Sequence, residues 1–248
     1  MLRIRLQLPR NTPAQHYNHQ DLIHDAIINA LTAAGADSTA VIGHQASLWT
    51  FAPLGWHRGH AGIAHSLVIS TADPALARVL SRIDPAHVIQ RRRDQDAGSI
   101  NFSAATRQPE PDPLLPGQNR MGCFLLSPLV LQDHSHTGKG KRWHQDFNAL
   151  SQTLSETINR KLSFVAGREV QLCIYPDSLY LHANPKHSVL VNLKTFQDGR
   201  KSFVIGMQAP LLLEGSEADL RLAWYAGIGE KTRSGFGCLG LVEQGVGR

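Results

Sequence analysis

Leu2-Arg3-Ile4-Arg5-Leu6-Gln7-Leu8 is a run of strict alternation between apolar and polar side chains. A period of two marks a strand with one buried face. Leu2, Ile4, Leu6 and Leu8 then point inward, and Arg3 and Arg5 share the opposite face. Moving outward from that strand, the period changes. Leu22, Ile23, Ala26, Ile27, Ala30 and Leu31 recur at helical spacing, which predicts a helix over about residues 19–34 capped by Gly35. Strand-like pieces follow at 48–51 and 67–69, then a helix after Asp73-Pro74 and a strand candidate at 98–106. The order β-α-β-β-α-β predicts a ferredoxin-like (RRM-like) unit, with four antiparallel strands and two helices on one face.

Residues 107–119 hold Pro109, Pro111, Pro113, Pro116 and Gly117. Proline at this density interrupts helix and sheet alike, so this stretch reads as a linker. Beyond it the pattern repeats loosely. A strand is expected at 121–131 and a long helix at 144–165, with Phe147, Leu150, Leu154, Ile158, Leu162 and Val165 at helical spacing. Strands are expected at 170–175, 178–183, 187–194 and 201–213, with a turn at Asp198-Gly199. Ser216 and Asp219 have the spacing of a capping box and predict a helix start. A last strand is expected at 237–243. The fold class is thus α+β, two tandem ferredoxin-like units over 1–108 and 119–248.

Composition narrows the function classes. Hydrophobic residues make up 42% of the 248, enough for packed cores, so wholesale disorder is excluded. No apolar run reaches the ~18–20 residues of a membrane span, and residues 1–10 lack a signal peptide's apolar segment, so a cytoplasmic chain is expected. Cys123, Cys173 and Cys238 are far apart and read as buried small hydrophobes rather than disulfide partners or zinc ligands. His16, His19 and His24, and again His57, His60 and His65, follow no zinc spacing, so no metal or cofactor is expected. The formal charge of +5 permits a polyanionic partner. The cations are grouped as Arg91-Arg92-Arg93, as Lys139, Lys141 and Arg142 around two glycines, and as Lys231 and Arg233 in a glycine-rich stretch. These, with Arg58, Gly229 and Gly235, are the candidate phosphate contacts. Trp56 and Trp143 adjoin basic residues and read equally well as base-stacking or core side chains.

Residues 227–240 read Gly-Ile-Gly-Glu-Lys-Thr-Arg-Ser-Gly-Phe-Gly-Cys-Leu-Gly. Five glycines in fourteen positions exceed what a flexible turn needs. They allow positive φ and close approach, and successive N–H groups in such a loop can form an anion nest beside Lys231 and Arg233. A nucleotide P-loop does not fit, because Glu230 separates Gly229 from Lys231 and a strand follows. The form Gly-x-Gly, a short basic interval, then Gly-Phe-Gly resembles the C-terminal loop of the CRISPR-associated repeat-processing endoribonucleases. Gly43-His44 followed by Trp49-Thr50-Phe51-Ala52-Pro53-Leu54 is similar to that family's His-centred segment. The small size and the Arg- and His-rich character are compatible with its type IV branch.

The resemblance implies the double ferredoxin-like architecture, CRISPR repeat RNA as partner together with other effector-complex subunits, and no membrane. It implies metal-independent cleavage in which the ribose 2′-OH attacks the adjacent phosphate, leaving a 2′,3′-cyclic phosphate and a 5′-OH. Such chemistry needs a base, an acid and positive charge at the phosphate. His44 is the matching position, and histidine suits either proton transfer. Tyr17 and His24, flanking the start of the first helix, are further catalytic candidates. Trp49 stands where a basic residue would be expected, which leaves the cation unassigned and makes the arginines its alternatives. The competing reading is a non-catalytic RNA-binding scaffold subunit of a CRISPR ribonucleoprotein. An unrelated RNA-recognition module fits less well, because residues 2–8 and 98–106 lack base-stacking aromatics.

Overall fold

A computed structural model describes residues 1–37, 48–55, 57–58, 61–91, 99–135, 142–196 and 198–242. The first half runs β1 (Leu2–Gln7), β2 (Gln15–Tyr17), α1 (Gln20–Ala33), β3 (Trp49–Leu54), β4 (His57–Arg58), β5 (Ala61–Ala64), β6 (Ser66–Thr71), α2 (Pro74–Leu80), β7 (Ile89–Arg91), β8 (Ser99–Asn101) and β9 (Thr106–Pro109). The second runs β10 (Arg120–Leu125), α3 (Leu154–Ala166), β11 (Leu172–Pro176), α4 (Ser178–Ala183), β12 (Ser188–Thr195), β13 (Lys201–Met207), β14 (Leu211–Gly215), α5 (Glu217–Ala226) and β15 (Leu239–Leu241). Two antiparallel four-stranded sheets result, ordered β3-β6-β1-β9 and β11-β14-β10-β15. Each places its own strands in the order second, third, first, fourth, which is the ferredoxin-like arrangement expected for both units.

The register of the first sheet explains how the units join. Ile4, Ile69 and Phe51 stand in one row, and they pack with Leu22, Ile23 and Ile27 of α1. Arg3, Ser70 and Thr50 form a row on the other face. That face is not solvent. The Arg3 guanidinium lies 4.0 Å over the Trp224 ring of α5, and its Nε donates to Glu110 Oε2 at 2.6 Å. Ser70 Oγ donates to the Tyr225 carbonyl and Thr50 Oγ1 to the Phe236 carbonyl, both at 2.9 Å. Every residue of β3 and β6 is therefore buried. Helix α5 lies between the sheets and is buried at Leu220 and from Leu222 through Ala226, as a helix apolar on most sides must be.

Several elements depart from the periodicity. The fourth strand of the first sheet is β9, not 98–106; residues 99–101 pair with β7 in a separate ribbon. Pro109 is accommodated because β9 is an edge strand, where a missing N–H costs no ladder bond. The expected helix 144–165 begins only at Leu154. Before it, the Phe147 N–H is held by His187 Nε2 and the Asp146 carboxylate turns the chain at Asn148, so Phe147 and Leu150 are buried without being in one helix. Residues 178–183 are helix rather than strand, because Asp177 caps the Tyr180 N–H. The expected strand 201–213 is two strands, broken at Gln208-Ala209-Pro210. Cys123 and Cys238 are buried as expected, and burial pushes their thiols up to about 12 and about 11, but Cys173 is exposed. It lies on the face of β11 opposite the core.

Strand β11 would be an open edge, but α3 closes it. Ser155, Asn159 and Ser163 recur every four residues along one stripe of the helix. They accept the N–H groups of Ile174, Leu172 and Val170, and the Asn159 amide returns a bond to the Leu172 carbonyl at 2.8 Å. Asn159→Leu leaves two backbone groups unpaired and should lower stability by about 1–3 kcal/mol, read by thermal or urea unfolding; an unchanged midpoint would show the edge needs no cap.

Glu110 carries a pH signature. Burial alone would raise its pKa, but the nearby Arg3 and Arg5 guanidiniums outweigh burial and hold the carboxyl below its ordinary value. Stability from such a group is present above the unfolded pKa of about 4.3 and disappears as pH falls through the folded one. Urea unfolding should show Glu110→Gln less stable than the parent at pH 7, with the gap closing below about pH 4.5. A gap that stays constant into acid would contradict this.

Candidate active site and nucleic-acid interface

The glycine-rich loop joins α5 to β15 and is wedged between the two sheets. Ile228 N donates to the Gly237 carbonyl, Glu230 N to Val130, and Gly237 N to Pro128. Phe236 is fully buried with Val130, Trp143 and Val204. Gly229 and Gly235 have φ of +82° and +84°, and a Cβ on either would enter occupied space: Leu129 Cδ1 at 2.4 Å for Gly229, Gln20 Nε2 at 2.4 Å for Gly235. Much of the expected row of open N–H groups is thus engaged within the protein. The glycines serve first to fit the backbone between Phe51 on one side and Leu129-Val130 on the other.

Around this loop several elements converge. Gln20, the first residue of α1, donates to the Gly235 carbonyl at 3.3 Å. A cavity of about 190 Å³ opens there between the units, lined among others by Tyr17, Gln20, Ser127, Asn192, Gln208 and Gly235. Its walls come from β2, α1, β3, β5, β12, the segments around 126–128 and Gln208, and the glycine loop. Tyr17 is 5% exposed, and burial drives its phenol well above the ordinary tyrosine pKa. Burial thus favours the neutral hydroxyl, which can donate a hydrogen bond.

The other candidates fall as follows. His24 is one turn into α1, stacked 6.0 Å from Trp49 with Nδ1 3.2 Å from Asp25 Oδ1, and it does not line this cavity. His44 lies outside the described residues, as do Arg92, Arg93, Lys139, Lys141 and Trp56. Arg58 is in β4, whose backbone pairs with β5, the strand that also pairs with Tyr17. Arg91 ends β7. Arg142 is exposed, and its carbonyl accepts the Asp133 N–H. Lys231 has a left-handed backbone, and its Nζ is 5.7 Å from the Trp143 ring centroid. Trp143 beneath it is 8% exposed, so packing and not base stacking describes it. Arg233 is in the short turn 232–234, half-buried. Among the described residues no group of three His, Cys, Asp or Glu side chains is placed to hold a metal ion.

Residues 108–241, which include this loop and all of the second sheet, match the family described as "CRISPR associated protein Cas6, C-terminal". The chain belongs to the Cas6 family. Solved structures share the Cas6 fold along nearly the whole chain. One described as "Characterization of a Cas6-related gene from Pyrococcus furiosus" has a TM-score of 0.70 at 18% identity, covering 98% of this chain and 99% of that one. Another, "An RAMP protein binding different RNA substrates", has a TM-score of 0.68 at 17% identity, covering 98% and 100%. A third, "CRISPR associated protein Cas6", has a TM-score of 0.63 at 16% identity, covering 97% and 99%. No curated protein matches the chain in sequence.

Within this Cas6-family fold, the sequence signal missed the residues that close the site. Gln20, Asn192 and Gln208 line the cavity, and Thr50 holds the loop, yet isolated amides and hydroxyls carry no motif. His19 is 7% exposed, and its Nε2 lies 2.8 Å from Thr195 Oγ1 of β12. The sequence marked it only within the set His16, His19 and His24, read as following no zinc spacing.

Replacing Gly235 should damage packing and the site together. Gly235→Ala puts a Cβ against Gln20 and Phe51 at a φ that side chains resist, costing about 1–3 kcal/mol. Denaturation should show the loss, and RNA affinity should fall with it; a variant that folds and binds like the parent would mean the loop yields at no cost.

Proposed function

We propose that this protein is a metal-independent endoribonuclease that recognises CRISPR repeat RNA, cleaves the precursor into mature guide RNAs in the cytoplasm and stays bound to the product. The observation that carries the reading is the meeting of the glycine-rich loop, Tyr17 and the first residue of α1 around one cavity between the two units, in a chain of the Cas6 family. A related fold solved as a Cas6 product complex, with a TM-score of 0.56, supports the same reading.

The ribose 2′-OH attacks the adjacent phosphorus, and the 5′-oxygen of the next nucleotide leaves. The products are a 2′,3′-cyclic phosphate and a 5′-OH. His44 takes the 2′-OH proton or supplies one to the leaving oxygen. Tyr17, kept neutral by burial, donates a hydrogen bond. Charge on the phosphate falls to the cations, and Lys231 and Arg233 on the loop, Arg58, Arg91–Arg93 and Lys139, Lys141 and Arg142 hold the RNA.

Cleavage of the cognate repeat RNA in EDTA at one bond, with a cyclic phosphate end, is the expected result. His44→Ala should slow single-turnover cleavage by about 10²–10⁴-fold while affinity barely changes. Wild-type cleavage by that variant would move catalysis to the arginines. Tight binding with no cleavage by the parent would make the protein a scaffold and not an enzyme.

A further inference from the structure

Met121, Cys123, Leu172, Ile174, Leu211 and Leu213 give the second sheet its buried face, so the residues that alternate with them stand on the other. Two rows run across that outer face. In one, Tyr175 pairs with Leu212 and Leu212 with Gly122, and Val242 lies beyond Gly122. Tyr175, Leu212 and Val242 are 50%, 39% and 43% exposed. In the next row Arg120 pairs with Glu214, and its Nε lies 2.8 Å from Glu214 Oε1.

Gly122 is the informative residue. Glycine inside a strand weakens it and often marks where another chain comes close. Nothing within this chain requires it. Its φ is not positive, and a Cβ there would meet only the Val242 side chain, at 3.6 Å, an ordinary contact. The face therefore carries a hollow between Leu212 and Val242.

The two rows are self-complementary. Consider a two-fold axis lying over the face, parallel to the strands and midway between β14 and β10. It sets Leu212 of each copy over Gly122 of the other, Tyr175 over Val242, and Glu214 over Arg120. A protruding side chain meets a hollow and a carboxylate meets a guanidinium, each twice, as an isologous interface requires. The strands of the two sheets then run nearly aligned, the ordinary packing of a sandwich. A nucleic acid fits less well, because the cation of these rows already has its carboxylate and leaves no net charge to attract a polyanion.

We propose that the outer face of β11-β14-β10-β15 is a two-fold interface between two copies of this chain, with Leu212 seated over Gly122 and Glu214 against Arg120 across the axis. The face is small beside the ~800 Å² per partner of a standard interface, so the association is weak and depends on concentration.

The test is sedimentation equilibrium of the full chain, without RNA, over a concentration series. The parent should show a monomer–dimer equilibrium. Gly122→Trp fills the hollow and should raise the dimer dissociation constant at least ~10-fold, with circular dichroism unchanged. Arg120→Glu and Glu214→Arg should each weaken self-association at least ~10-fold, because like charges then face each other across the axis. Mixed in equal amounts, these two variants should associate again, since every pair across the axis is then a carboxylate against a guanidinium. The pair within each chain stays broken in both, so a role confined to one chain could not be restored by mixing. A parent that is monomeric at every concentration would overturn the proposal. So would a dimer that survives all three substitutions, or a mixture no stronger than its components. Substitutions that weaken RNA binding and leave the oligomeric state unmoved would make the face a nucleic-acid surface and overturn it as well.

Discussion

Arg3 stacked on Trp224 and bonded to Glu110 is the contact on which the joining of the two units depends. A guanidinium that is 1% exposed cannot be left unpaired, so the strand that carries it has to meet both a carboxylate and an aromatic face. Glu110, just past β9, supplies the first, and α5 supplies the second. Because Arg3, Ser70 and Thr50 stand in register, pairing the Arg3 Nε with Glu110 also places two hydroxyls against the carbonyls of Tyr225 and Phe236. One row across a sheet thus fixes the end of the helix and the far end of the glycine loop.

The site is a consequence of that docking. With Phe236 held by Thr50 and buried in the second unit, the loop must thread a gap bounded by Phe51 and Leu129. Only glycine fits there, which is the physical reason for a density of glycine beyond what a turn needs. The same threading brings the Gly235 carbonyl to Gln20 and so sets the first turn of α1 beside the loop. Tyr17, in the strand before that helix, is carried into the cavity by the same placement. The loop is therefore both a joint between the units and a wall of the site, and its two roles are not separable by a glycine substitution.

The second sheet lacks this cover. Its outer face carries Cys173, Tyr175 and Leu212, exposed on strands whose counterparts in the first sheet are buried at every position. Its edge is nonetheless closed, by the polar stripe of α3 on β11. The two units share a topology and differ in what each strand face touches, because α5 packs between the sheets and can cover only one outer face.

What the sequence by itself determined is local. Alternation in residues 2–8, the apolar stripe of α1 and the cap at Ser216 depend on neighbours along the chain, and each was legible as a period or a cap. Gly229, Gly235 and Phe236 were legible as a motif because close packing leaves a compositional trace. The pairing of β9 with β1, the helix at 178–183 and the irregular stretch before Leu154 were not legible. Each turns on a partner distant in sequence or on a single cap: the open edge of β1, the Asp177 carboxylate, the His187 ring. The burial of Arg3 could not be read either, since alternation separates two faces without saying what lies against each. Only the tertiary structure decided that the polar face of the first strand meets Trp224 and not water, because only in three dimensions does a residue from the far end of the chain stand against it.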